Sequence, residues 1–356
     1  MEYLIDYGLF LAKTATIVFA IILILGAIAS AGQRQRKDGK KGSLKITELN
    51  SHYEDIRDDL RQEVLSKEEY KQLQKQEKKA EKAERKAEKQ AVKQADSDAE
   101  LAVERKPRTY VLNFKGNIGA DAVASLREEI TAVLSLAEIS DSVMLRLESP
   151  GGMVHAYGLA SSQLVRIKNQ QIPLTICVDK VAASGGYMMA CLADKLVAAP
   201  FSIIGSIGVL IQMPNFHRIL KKNDVDFEMI SAGEYKRTLS TFGEVTQKGR
   251  DKAQEDVESI HQIFKTWVKD YRPSIDIDKI ATGETWLGTQ AKERYMVDEI
   301  KTSDECILEA CKTSDVFEVE YEFKKSLQEK LGNAASAVVD SLYNRFIAEP
   351  NNDKYQ

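Results

Sequence analysis

Histidine is scarce in this 356-residue chain: His52, His155, His217 and His261 are all there is. None sits in a Ser-His-Asp context and no GxSxG elbow occurs, so the commonest serine-and-histidine arrangement finds no support. Cysteine is equally scarce. Cys177, Cys191, Cys306 and Cys311 form no CxxC pair, which argues against a zinc-finger spacing or a disulfide framework and makes reduced thiols the expectation. The HExxH and GxxxxGK[ST] patterns are missing, so neither a metallohydrolase helix nor a nucleotide-phosphate loop is indicated, and no metal or cofactor is expected. The net charge of -4, from 50 basic and 54 acidic residues, gives no global pull toward nucleic acid.

Long uncharged runs are few. Residues 14–32, TATIVFAIILILGAIASAG, would span about 28 Å as a helix, roughly a bilayer core. Ala29-Ser30-Ala31 resembles a signal-peptidase site, but Glu2 and Asp6 make the start acidic and the run is long for a cleaved leader. Residues 1–32 are therefore expected to form an uncleaved transmembrane anchor in contact with membrane lipid. Six Lys/Arg in 33–50 against none in 1–12 put the remainder on the cytoplasmic side by the flanking-charge rule. Residues 196–216 are also uncharged, but Pro200, Gly205 and Gly208 break them, and a buried strand-turn-strand is expected.

Residues 33–105 read as a charged helical or disordered tether. Segment 66–95 holds ten Lys/Arg and six Glu with no Gly or Pro, and its apolar positions are too few for a heptad seam. From Thr109 the pattern changes to strands alternating with helices: TYVLNF, then Ala122–Glu138; VMLRLES, then Met153–Lys168; LTICVD, then 185–192; then KLVAA. That alternation defines an α/β domain over 106–320, its strands apolar on both faces as a helix-covered sheet requires. Helices are also expected over 250–270 and 287–297. The tail, 321–356, places Leu327, Leu331, Val338 and Leu342 on one face and is expected to pack against protein.

The candidate chemistry lies in 179–212. Ser184 stands between Ala183 and Gly185-Gly186, where a strand passes into a helix whose free N–H groups carry positive potential. A plain capping serine in a tight turn is the competing reading. A nucleophilic serine needs a base. His155, close after Gly151-Gly152, is one candidate; a lysine is the other. A lysine base, ordinarily near pKa about 10.4, must be dried to become neutral near pH 7, so it belongs in a tight apolar or hydroxyl-lined pocket. Lys236, in SAGEYKRTLSTFGE, stands among small and hydroxyl residues. Backbone N–H groups at Gly151, Gly152 and Gly185 could converge on an oxyanion.

SPGG (149–152), ASGGYMMACLADKLVA (183–198), GSIGV (205–209), GEYK (233–236) and TWLGTQAKERYMVDEI (285–300) follow one another in an order that resembles the membrane-bound signal peptide peptidase family of serine proteases, family S49. The resemblance covers 106–305 by motif. It implies a ClpP/crotonase-like βαβ superhelical fold and a Ser–Lys dyad: Ser184 as nucleophile, Lys236 as general base, Ser206 as the serine that holds the lysine, and Gly152 with the amide of Gly185 as the oxyanion hole. It further implies a peptide or protein substrate of apolar character, such as signal-peptide remnants, a homo-oligomer in which Ser and Lys can come from neighbouring subunits, and a bacterial inner-membrane location. The family's usual substrates favour the periplasmic side, against the flanking charges. A catalytically silent membrane scaffold and a crotonase-like acyl-CoA enzyme are the alternatives. One departure stands out: Tyr295 of Tyr295-Met296-Val297-Asp298 occupies a position where the family usually has glycine.

Overall fold

The computed structural model describes residues 42–95 and 105–323, with Lys13, Thr14 and Thr16. The rest of the expected anchor and the tail beyond Phe323 lie outside the described residues; among those described, no helix is long and apolar enough to cross a membrane. The chain divides into two compact units, 1–44 with 321–356, and 45–320. Apart from Lys13, Thr14 and Thr16, the described part of the first is the outer ends of two strands, where the Gly42 N–H donates to the Tyr321 hydroxyl at 3.2 Å.

The second unit is mixed α/β. Its strands, with those outer ends, are β1 (Gly42–Glu48), β2 (Arg108–Lys115), β3 (Ser142–Glu148), β4 (Leu174–Val178), β5 (Val181–Ala183), β6 (Lys195–Ala198), β7 (Ile203–Gly205), β8 (Thr285–Leu287), β9 (Glu299–Ile300) and β10 (Asp315–Phe323). Its helices are α1 (Leu49–Val64), α2 (Lys67–Ala95), α3 (Val123–Leu134), α4 (Val154–Asn169), α5 (Gly185–Ala190), α6 (His217–Lys222), α7 (Gln247–Tyr271), α8 (Ile277–Ile280), α9 (Gly288–Glu293) and α10 (Ser303–Thr313).

Seven strands form one sheet in the order β1-β10-β2-β3-β4-β6-β9, with every described pairing from β10 to β9 parallel. A second sheet, β5-β7-β8, pairs β5 with β7 parallel and β7 with β8 antiparallel. Period-2 alternation splits the large sheet's side chains between two cores. Leu112, Leu145, Ile176 and Leu196 join the main core with α3, α4, α5 and α7, while Val111, Met144, Cys177 and Val197 join a smaller one with Leu49 of α1 and Ile307 of α10. The two-sided apolar strands read from the sequence therefore have helices on both faces.

The expected tether departs from a featureless spacer. Gly42–Glu48 is a strand of the large sheet, and α1 docks on the second face. Asn50 Nδ2 donates to the Cys311 and Ser314 carbonyls at 3.1 Å each, and its Oδ1 accepts the Val316 N–H at 2.7 Å. Net charge concealed a few apolar and amide anchors at the segment's start. The charged remainder, α2, is helical and about 43 Å long at 1.5 Å per residue.

Asp141 fixes the entry to β3. Its buried carboxylate accepts two bonds from the Arg105 guanidinium, both 2.7 Å, and the N–H groups of Arg108 and Glu138 at 2.8 and 2.9 Å. Burial works against its charge, but the Arg105 fork and the two amides outweigh that and hold its pKa below the usual carboxylate range. A lowered folded-state pKa stabilises the fold above the ordinary carboxylate pKa of about 3.9 and loses that contribution as pH falls through the folded value. Asp141→Ala is expected to cost about 3 kcal/mol in urea unfolding at pH 7, and less of the difference should survive near pH 3. An unchanged midpoint at pH 7 would refute the assignment.

Candidate active site

Ligand sites in parallel α/β sheets gather at the carboxyl ends of strands, and three such ends meet here. Ser149 follows β3, Ser184 follows β5 and Ser206 follows β7. Ala183 pairs with Gly205 across β5 and β7, so the two later serines stand side by side, the Ser184 N–H donating to the Gly205 carbonyl at 2.7 Å. Ser149 bridges to Ala182, and the Ala183 N–H donates to the Ser149 carbonyl at 3.0 Å.

Ser184 is the residue the sequence singled out, and its backbone is the unusual feature. It has φ 52 and ψ -119, a region that an L-residue enters only under constraint, and its side chain makes no capping hydrogen bond to α5. The capping-serine reading therefore fails. Ser206 also has φ 52, held by its N–H donating to the Glu284 carbonyl at 2.6 Å.

The Ser149-Pro150-Gly151-Gly152 turn runs against Ser184. A Cβ on Gly151, whose φ is 90, would stand 2.7 Å from the Ser184 Cβ, and one on Gly152 would stand 2.2 Å from the Ile118 carbonyl oxygen. Only glycine lets these strands of backbone approach so closely. Among the described residues nothing accepts the Gly152 N–H. A relay beneath fixes the turn: the Gly151 N–H donates to Ser149 Oγ at 3.1 Å, Ser149 Oγ lies 2.5 Å from the Tyr157 hydroxyl, and that hydroxyl donates to the Asn117 carbonyl at 2.8 Å. Burial raises the Tyr157 pKa, keeping the phenol protonated as its donation requires. Sequence reasoning missed Tyr157 and Asn117, because nothing in their spacing distinguishes them from ordinary helix and turn residues.

Ser184, Gly152 and Gly185 line one cavity of about 370 Å³. Its walls are otherwise largely apolar, including Met188 of α5 and Ile263 and Trp267 of α7. The Trp267 indole N–H is already spent on the Met188 carbonyl at 3.0 Å. The four cysteines are free, and burial pushes the Cys191 thiol up to about 12, so it stays protonated and inert near neutral pH. His155 is exposed and does not line the Ser184 cavity.

Lys236 departs from expectation. A lysine base needs a dry pocket; here Lys236 is exposed and lines a separate cavity with Phe227, Met229 and Ile230. The physical reason is local. Among the described residues, the stretch from Val209 to Glu244 contributes no strand and one short helix, α6. Its apolar side chains find no core: Leu210 is 77% exposed and Ile230 99%. The strand-turn-strand expected over 196–216 is realised as β6 and β7 and then gives way to this exposed stretch.

The chain thus combines an α/β fold with a strained serine at a strand end, glycine amides beside it and an apolar cavity in front. Profiles of the peptidase family S49 N-terminal region and of peptidase family S49 match residues 2–164 and 166–317, and the chain belongs to peptidase family S49. Its likeness extends end to end with the SohB type. It is 48% identical over 352 residues to the probable protease SohB of Haemophilus influenzae, covering 99% of this chain and 98% of that protein. It is 45% identical over 308 residues to the probable protease SohB of Buchnera aphidicola subsp. Schlechtendalia chinensis, covering 86% and 99%. A solved structure of a membrane-bound stomatin-specific protease in complex with a substrate peptide aligns with a TM-score of 0.41 and 16% identity, covering 65% of this chain and 99% of that one.

The Asp298 of the chain's YMVD stretch has a structural task. It accepts two bonds from Arg272, at 2.9 and 2.7 Å, and the Leu196 N–H at 2.7 Å, tying α7 to β6. Tyr295 three residues earlier has φ 59, which accounts for glycine being the easier residue there.

Proposed function

We propose that this chain is a membrane-anchored serine endopeptidase whose Ser–Lys dyad, Ser184 and Lys236, is completed between subunits of a homo-oligomer. The carrying observation is Ser184 itself: a strained serine at the junction of three strand ends, opening on an apolar cavity. An extended peptide places an apolar side chain in the cavity and its carbonyl over Ser184 Oγ. Neutral Lys236 takes the hydroxyl proton as Oγ attacks. The N–H groups of Gly152 and Gly185 hold the oxyanion, and the lysine then protonates the leaving amine. Water deacylates the enzyme by the reverse proton path. Ser206, beside Ser184, orients the lysine.

The between-subunit reading rests on the exposure of Lys236 and of the apolar stretch that carries it. A second copy seated on that stretch would bury both, giving the lysine the desolvation that its role needs. The topology is read as ClpP/crotonase-like, and the run 14–32 as the anchor in a bacterial inner membrane. Fluorophosphonate labelling of detergent-purified full-length protein tests the nucleophile: wild type should label and Ser184→Ala should not. Equal labelling of the two, or no labelling of wild type at any pH, would reject the reading.

A further inference from the structure

We propose that Gly158 sets which substrates are cut, by leaving room for a large apolar side chain on the acyl side of the scissile bond; this inference rests on the protease reading above. Gly158 lies inside α4 and lines the Ser184 cavity. Glycine in a helix interior is unfavourable, and it is normally retained for a left-handed φ or for a close backbone approach. Neither reason applies. Gly158 is not among the positive-φ glycines, and a Cβ built on it meets nothing within 4 Å. The contrast with its neighbours is direct: a Cβ on Gly151, Gly152, Gly185 or Gly186 would stand 2.2–2.8 Å from other atoms.

Val154, Gly158, Ser161 and Ser162 line the cavity from one face of α4, so a side chain at 158 would enter it. Across it stand Ile260, Ile263, Phe264 and Trp267 of α7, spaced i, i+3, i+4 and i+7 on one helix face, with Met188 to the side. A bulky residue at 158 would pack against that face and close the pocket in front of Ser184. The structure thus gives Gly158 one consequence, an open pocket. The substrate class that follows is a peptide with leucine, methionine, phenylalanine or a similarly large apolar residue at the cleaved carbonyl, in preference to alanine.

The test uses full-length detergent-purified protein, a set of peptides varied at that residue and mass-spectrometric mapping of the cuts. Gly158→Leu should lower the ratio of cleavage after leucine or phenylalanine to cleavage after alanine by about tenfold or more, with Gly158→Ala in between. The melting temperature of Gly158→Ala should match or exceed that of the parent, since the added methyl meets no atom and favours the helix. A ratio unmoved in both active variants overturns the inference alone, as does a lowered melting temperature for Gly158→Ala, which would reveal a packing role. Cleavage by the parent that survives Ser184→Ala overturns the protease reading and this inference together.

Discussion

Ser184→Ala and Lys236→Ala are each expected to lose peptide cleavage by on the order of 10³-fold or more, and a mixed assembly of the two dead chains is expected to regain it. Each variant lacks one half of the proposed dyad and keeps the other. If the halves meet within one chain, every site in a mixture contains a defect. If they meet between chains, a site formed by the intact serine of a Lys236→Ala chain and the intact lysine of a Ser184→Ala chain is whole. With random mixing in a closed ring, about a quarter of the sites are of that kind. Co-expression with two different tags, sequential capture and a casein assay read the result directly. Lys236 lines a cavity that excludes Ser184, so the structure favours recovery. A mixture as inactive as its parents, though co-purified, would return the base to the serine's own chain. Full activity in Lys236→Ala alone would remove the lysine from the chemistry.

Gly185→Ala is the second large effect. A Cβ at 185 would stand 2.4 Å from Cγ of Tyr157, a fully buried ring pinned at its hydroxyl by Ser149 and Asn117. The ring cannot swing away without breaking that relay, so the backbone of residue 185 must move, and its N–H moves with it. Displacing one oxyanion donor costs about 10²–10³-fold in kcat. Overpacking adds about 1–3 kcal/mol of lost stability. Steady-state kinetics beside thermal unfolding separate the two: kcat should fall in preparations that are still folded at the assay temperature, with KM much less affected. A kcat within tenfold of wild type would remove Gly185 from the oxyanion hole.

The parts of this site that the sequence made legible are those encoded by local pattern. The strand-to-helix junction at Ser184 could be read because VAASGG gives small residues and a glycine pair where the direction of the chain changes. The two-sided strands could be read because their apolar residues run without alternation. What could not be read depends on neighbours in space. The positive φ of Ser184 comes from pairing β5 with β7 and from Gly151 pressed against it, none of which is visible in residues 181–186. The Tyr157–Ser149 relay joins a helix to a turn through one hydroxyl pair. The docking of α1 was hidden by its charge: Leu49, Asn50 and the half-buried Tyr53 anchor a segment that composition assigns to solvent. Lys236 was placed by order of motifs, and order along the chain carries no information about what a side chain packs against.

The left-handed backbone at residue 184 also bears on descent. Holding a serine there costs about 1–3 kcal/mol that glycine would not incur. As long as the hydroxyl is needed, selection keeps the cost. In a lineage released from that need, replacement by glycine would be favoured on stability alone and would remain. On the proposed mechanism, a serine at this position marks continuing use, and a glycine at the same place in an otherwise intact descendant would mark a fold that has outlived its reaction.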